Sequence, residues 1–290
     1  MAVACAVAGA QPVSVVDDRG RTVALARPAQ RIVTLAPSLA ELVFAAGAGG
    51  RLAGVARLSR LPPEAVGVPL VGDAVGVDFE RVVQLKPDLV LAWRSGNAAA
   101  DVERLERLGV PVYVSEARRL GDIPRELRAI GALAGTSSTA RKAAQTFERE
   151  IGTLRGRFAS APPVRVFYQI WHRPLMTVSG AHLISDVIAS CGGMNVFGDV
   201  SQLTPTVSLE AAIAARPEAI LGGGSAGGEK AFAAARDALP PPLRDLPAFY
   251  IDPDAIQQAT PRIVEGVRAV CAALEQVRNG QDLRNGSKTR

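Results

Sequence analysis

The sequence predicts an α/β protein made of two doubly wound, Rossmann-like βα lobes, and three features of its 290 residues carry that expectation. Short β-branched runs alternate with helical spacing from Arg31 to Val114, the stretch from about Asp122 to Ser160 has no strand candidate, and the alternation restarts after Pro162-Pro163. Strands and helices at this pitch argue for parallel βαβ units. A chain about twice the usual domain length leaves room for two cores, and 48% apolar with 21% charged residues is the balance of a folded globular chain.

Arg31 to Leu35 reads as the first strand of the alternation, followed by Pro37 and a helical run with glycines at its end. Ser38 and Glu41 have the spacing of a Ser-x-x-Glu capping box. Leu52 to Val55 is a strand, Asp78 to Leu85 a helix, Asp88 to Trp93 a buried strand, Asn97 to Leu108 a helix stopped by Gly109, and Val110 to Val114 a strand. In the strand-free stretch, Ala140, Ala144, Phe147, Ile151, Leu154 and Phe158 draw one apolar stripe. A helix of about twenty residues would be about 30 Å long, so it either runs from lobe to lobe or lies on the first lobe. Beyond it come strand Val164 to Ile170, helices His182 to Ser190 and Leu209 to Ala215, strands Ala219 to Leu221 and Ala248 to Ile251, and a last helix from Thr260 to about Val277 with Pro261 in its first turn. The expected division is a leader over 1–10, a first lobe over 11–120, a helical region over 121–160, a second lobe over 161–278 and a flexible polar tail over 279–290.

The formal charge of +5 is spread along the chain among acidic residues, and 4% aromatic content leaves no basic run interleaved with stacking side chains. That pattern speaks against nucleic-acid binding. Met1 to Ala10 is small and apolar and ends in Ala8-Gly9-Ala10, as a clipped export signal would, although it lacks a basic opening. Cys5, preceded by Ala2-Val3-Ala4, weakly imitates a lipid-attachment box. No later segment reaches the ~20 apolar residues of a membrane span, so an exported, soluble protein is expected. Cys191 and Cys271 remain as a pair, and composition alone leaves them as buried thiols or as a disulfide.

No catalytic constellation stands out: there are two histidines, His172 and His182, and no HExxH. The expectation is a protein that is not an enzyme and needs no cofactor or metal. His172, beside Trp171 after a strand, reads as a ligand contact or as a structural hydrogen-bonder, and His182 near a helix start reads as structural. Gly222 to Gly228 lacks the spacing of a phosphate loop and reads as a turn. What remains are the strand ends, where doubly wound sheets bind ligands: Pro37, Ser38, Leu58, Asp73, Trp93 and Arg94 in the first lobe, and Trp171, His172, Asp254 and Ile256 in the second. With the lobes facing each other these would line one ligand cleft, the two tryptophans offering flat apolar area; either tryptophan could equally fill a core.

Arg31 to Ala46, Phe79 to Leu108, Cys191 to Phe197, Val207 to Glu210, and Ala259 to Arg262 with Cys271 together resemble the periplasmic vitamin B12-binding proteins among the helical-backbone (class III) substrate-binding proteins of ABC importers. The resemblance implies two βα lobes joined by one long helix, a ligand between them that is cobalamin or a related corrinoid, and a monomer that delivers it to membrane permease subunits. It implies a Cys191–Cys271 disulfide, and docking through an acidic residue on each lobe: Glu210 on the second, and Asp101 on the first, where the matching position itself is Ala99. Aromatic positions that cradle the corrin ring in that family fall here on Leu58, Ala74, Thr204 and Ala255, while Trp93 and Asp254 persist. A haem or iron-siderophore receptor of the same fold is the alternative, with His172 as an iron ligand and Arg57, Arg60, Arg94 and Arg173 as partners for carboxylates or catecholates.

Overall fold

The computed structural model describes residues 12–65, 67–73, 76–223 and 227–286. The expected leader with Cys5, Ala74 and part of the glycine-rich run therefore lie outside the described residues. Two compact units divide the chain, Met1–Glu116 with Ile123–Gln145 and Ala117–Asp122 with Thr146–Arg290.

The first unit opens with an antiparallel hairpin, β1 (Val13–Val16) and β2 (Thr22–Leu25). Its turn is held by Asp17, whose Oδ1 accepts the N–H groups of Arg19 at 2.9 Å and Arg21 at 3.0 Å. The alternation of side chains around Asp17-Asp18-Arg19-Gly20 is the sequence signal for this hairpin, which the strand-helix reading above passed over. There follow β3 (Ile32–Thr34), α1 (Pro37–Ala45), β4 (Leu52–Val55), α2 (Phe79–Gln84), β5 (Leu89–Trp93), α3 (Ala99–Arg107) and β6 (Val112–Ser115). The strands pair in parallel in the order β4-β3-β5-β6. A sheet covered on both faces needs strands that are apolar throughout, and β3 and the first four residues of β5 are buried without interruption. Val33, Val90, Val112 and Val114 pack with Val82, Val102 and Leu105 of the covering helices.

The expected capping box at Ser38 and Glu41 does not form. Ala36 is the N-cap of α1 with no side-chain cap, because Pro37 occupies the first turn, where its fixed φ suits the helix and its missing N–H leaves one donor fewer to satisfy. By contrast Asp78 caps α2, accepting the Arg81 N–H at 2.9 Å. The strand-free stretch is two helices, α4 (Asp122–Leu133) and α5 (Ser137–Phe158), separated at Gly135, whose φ is +66°. The 22-residue α5 begins in the first unit and ends in the second, and Ala140, Ala144, Phe147, Ile151 and Phe158 of its stripe are buried.

The second unit contains β7 (Val164–Gln169), the short hairpin β8 (Trp171–His172) and β9 (Leu175–Met176), α6 (Leu183–Ser190), β10 (Gly193–Asn195), α7 (Leu209–Ala214), β11 (Ala219–Gly222), α8 (Gly228–Asp237), α9 (Pro241–Arg244), β12 (Ala248–Tyr250), α10 (Pro253–Ile256) and α11 (Ile263–Gly286). Its sheet is also parallel, in the order β10-β7-β11-β12. Phe167, Phe197, Ile220, Phe232 and Leu243 form one core cluster, with Phe167 edge-on to Phe197 at 5.7 Å. α11 continues to Gly286, into the stretch expected to be a flexible tail. Arg278, Gln281 and Arg284 are good helix formers and no proline interrupts 278–286, so the helix continues past the weak formers Asn279 and Gly280. A disulfide joins Cys191, at the C-terminal end of α6, to Cys271 in α11.

His182 is structural, as read. It is the N-cap of α6, its Nδ1 accepting the Ile184 N–H at 3.1 Å. Burial, with the Arg118 charge second, pushes its imidazole down to about 4. The folded value lies below the usual 6.5, so the stability that neutral His182 contributes is complete above pH 6.5 and is lost as pH falls through 4. Wild type is therefore expected to lose up to about 3 kcal/mol more than His182→Asn between pH 7 and pH 4 in urea unfolding, since asparagine keeps a cap without titrating. Parallel profiles would show that the imidazole is not linked to folding.

Candidate functional site

In each unit the parallel strands end on one edge, and the expected site residues gather along those two edges. On the first unit Pro37 and Ser38 follow β3, Leu58 and Asp73 lie in the segment after β4, and Trp93 and Arg94 close β5. Trp93 is 44% exposed and is held from its own backbone outwards. Its N–H donates to Asn97 Oδ1 at 2.8 Å, while Asn97 Nδ2 donates to Leu35 O at 3.0 Å, so one amide ties the end of β5 to the end of β3. The indole lies against Gly96, where a Cβ would fall 1.8 Å from Trp93 Cε3. Gly96 and Asn97 thus position Trp93, a role the sequence reading missed; the signal available was a Gly-Asn turn directly after a strand that ends in tryptophan.

Charged groups of this edge are engaged. Arg57 Nε lies 3.4 Å from Asp73 Oδ2, and Arg94 Nη1 donates to Asp18 O at 3.0 Å. Glu116 accepts the Ser95 N–H at 3.0 Å and its hydroxyl at 3.1 Å, fixing the turn beyond Trp93. Leu58 is 83% exposed, with φ at +66°. Its turn is closed by Ser59, whose hydroxyl donates to Ala56 O at 2.7 Å, so a left-handed backbone turns an apolar side chain out to solvent.

On the second unit Trp171 is 40% exposed and sits beside His172 with ring centroids 6.0 Å apart. Asp254 is partly buried in the first turn of α10, whose N-cap Asp252 accepts the Asp254 N–H at 3.0 Å. Burial, then the carboxylates of Asp252, Asp254 and Glu229, push the nearby Tyr250 phenol up, which marks the end of β12 as an acidic rim. Ile256 is the exception among the expected contacts. Its side chain is fully buried because α10 lies directly on α11: a Cβ on Gly266 would meet Ala255 O at 2.5 Å. The Ile256 side chain therefore supports the loop from inside and is not presented to solvent. Ala255 is buried with it, and Thr204 is partly buried.

Away from the strand ends, Glu210 is exposed in the first turn of α7, where its own backbone N–H and then the Ser208 hydroxyl hold its carboxyl below the usual range. Asp101 is partly buried in the first turn of α3. Among the described residues no three His, Cys, Asp or Glu side chains group to hold a metal ion, and no helix is long and apolar enough to cross a membrane.

The family model for periplasmic binding proteins matches residues 32–238. A curated vitamin B12-binding protein from Pectobacterium carotovorum subsp. carotovorum is 36% identical over 261 residues, covering 89% of this chain and 93% of the relative. One from Vibrio parahaemolyticus is 34% identical over 251 residues, covering 87% and 91%. Among solved structures, the periplasmic vitamin B12-binding protein BtuF of Vibrio cholerae superposes with a TM-score of 0.77 at 31% identity, over 87% of this chain and 98% of that one. Two parallel-sheet units with their candidate residues on the strand ends, and relatives matched along nearly their whole length, lead to one conclusion: the chain belongs to the periplasmic binding protein family, among the vitamin B12-binding proteins.

Proposed function

We propose that this protein is a periplasmic receptor that binds cobalamin or a related corrinoid and delivers it to the membrane permease subunits of an ABC importer, as a monomer and without transforming the ligand. The observation that carries this reading is the likeness to vitamin B12-binding proteins over about nine-tenths of their length. The strand-end residues of both units contribute to binding: Trp93 and Trp171 with apolar ring area, Leu58 with an exposed aliphatic group, and Asp254 as an acceptor for amide N–H groups of the corrin side chains. Glu210 and Asp101 supply the acidic contacts for the permease; the exposed, readily ionised carboxylate of Glu210 suits a pairing with arginine.

Calorimetric titration of the purified protein with cyanocobalamin is expected to give a dissociation constant of about 1 μM or tighter. Trp93→Ala is expected to weaken it roughly 30- to 150-fold, from the ~2–3 kcal/mol that a buried aromatic contributes. Wild-type protein that gives no heat at tens of micromolar refutes the corrinoid reading. Haem or an iron-siderophore is the weaker alternative, because Arg57 already holds Asp73 and Arg94 already holds the Asp18 carbonyl, which leaves fewer cations for the ligand's acidic groups.

A further inference from the structure

The β8–β9 hairpin of the second unit carries an exposed indole next to a histidine whose Nδ1 has no partner. Backbone bonds hold it on both sides: the Ile170 N–H donates to Met176 O at 3.0 Å, Val207 to Leu175 O at 2.9 Å, and Thr177 to Pro205 O at 3.0 Å. Trp171 uses its one polar atom inside the hairpin, Nε1–H donating to Arg173 O at 3.0 Å. The part of Trp171 that stays exposed therefore offers apolar ring and no free donor.

His172 lies beside it with the two ring planes inclined by 31°, and its Nδ1 is buried without a hydrogen-bond partner. A neutral imidazole carries one N–H, on Nδ1 or on Nε2. A proton on Nδ1 would make a buried donor with no acceptor, and an orphaned buried N–H is rarer in folded proteins than an unsatisfied acceptor. In the neutral ring the proton therefore belongs on Nε2, and the surroundings of one nitrogen dictate what the other presents.

We infer that Trp171 and His172 form a recognition element for a macrocycle with carboxamides at its rim: the indole face lies along the ring, and His172 Nε2–H donates to a peripheral amide carbonyl. The same tautomer withholds the Nε2 lone pair from iron, so the element discriminates against haem. This deepens the corrinoid reading above and rests on it for the identity of the macrocycle.

Nitrogen-15 NMR of the ligand-free full chain, with the His172 signals identified by their loss in His172→Gln, is expected to show a protonated Nε2 and a bare Nδ1. A proton on Nδ1 overturns the proposal. In cyanocobalamin titrations His172→Phe, which keeps a ring but has no donor, is expected to bind about tenfold more weakly, while His172→Gln, whose amide nitrogen reaches the Nε2 position, stays within about threefold of wild type. Equal affinity for wild type and His172→Phe overturns the donor role, and thermal unfolding of both variants checks that each is folded. Haemin is expected to give no Soret band that His172→Phe abolishes; such a band overturns the discrimination. If wild type gives no heat with cyanocobalamin the corrinoid reading fails on its own, and the tautomer and haemin measurements still decide the role of His172.

Discussion

Removing the disulfide, by Cys191→Ala with Cys271→Ala, is expected to destabilise the second unit by about 2–5 kcal/mol and to lower its melting temperature by roughly 5–15 °C. The cross-link closes a loop of 80 residues, for which the chain-entropy model gives roughly 4–5 kcal/mol. That loop runs from the end of α6 through β10, α7, β11, α8, α9, β12 and α10 into α11, so the bond limits the unfolded freedom of most of the second unit's elements. Packing adds to the effect, since Cys191 is fully buried and Cys271 nearly so. Arg278 clasps the same corner, donating from Nη2 to Cys191 O at 2.7 Å and to Gly192 O at 3.0 Å, and from Nε to Pro162 O at 2.9 Å. Urea unfolding of the double variant beside wild type measures the loss directly. A difference below about 1 kcal/mol would mean that the unfolded second unit is already compact, leaving the bond little entropy to remove.

The pairing of those cysteines illustrates what the sequence can and cannot supply. Composition left thiols and a disulfide equally open, and the pair was implied only by family resemblance; what brings the two sulfurs together is the contact of α6 with α11, a tertiary fact without a local signal. The parallel strands were legible because they are short, β-branched and bounded by turns, and β4 and β5 fall where their patterns put them. The break between α4 and α5 was not, because helical spacing runs on either side of Gly135 and a single glycine is weak punctuation. Trp93 and Asp254 could be placed at the strand ends from the sequence alone. Asn97 could not, since its role depends on β3 and β5 being neighbours in the sheet, which strand order and not sequence decides. The burial of Ile256 was illegible for the complementary reason: the loop it belongs to is at the strand ends, but its side chain turns into the α10–α11 contact.

Above pH 8, Glu126→Gln is expected to be more stable than wild type by roughly 3–5 kcal/mol, with the two converging near pH 4.5. Glu126 lies on the inner face of α4, in step with Ile123, Leu127 and Ile130, and is fully buried. Burial first, then a hydrogen bond with Asp18, pushes its carboxyl up to about 8, although Arg125 Nη1 is 3.1 Å away. The protonated acid suits its neighbours: Tyr113 O–H donates to Oε2 at 2.9 Å, and Asp18, held by Arg125 at 2.7 Å and by the Glu116 N–H, receives the acid proton. The folded value exceeds the unfolded one near 4.5, so the stability contributed by the protonated group is complete below pH 4.5 and is lost as pH rises through 8. Glutamine reproduces both bonds without ionising, its Oε1 accepting from Tyr113 and its amide donating to Asp18. Glu126→Leu removes both bonds and leaves the Tyr113 hydroxyl and Asp18 short of a partner, so it is expected to be less stable than Glu126→Gln at every pH. Denaturant unfolding from pH 4.5 to pH 9 separates these outcomes, and wild-type and glutamine profiles that run parallel would place the proton elsewhere in the cluster. Because His182 in the second unit loses stability towards acid while Glu126 in the first loses it towards base, the pH dependence of each unit should carry the opposite sign, and the two variants should each flatten only their own.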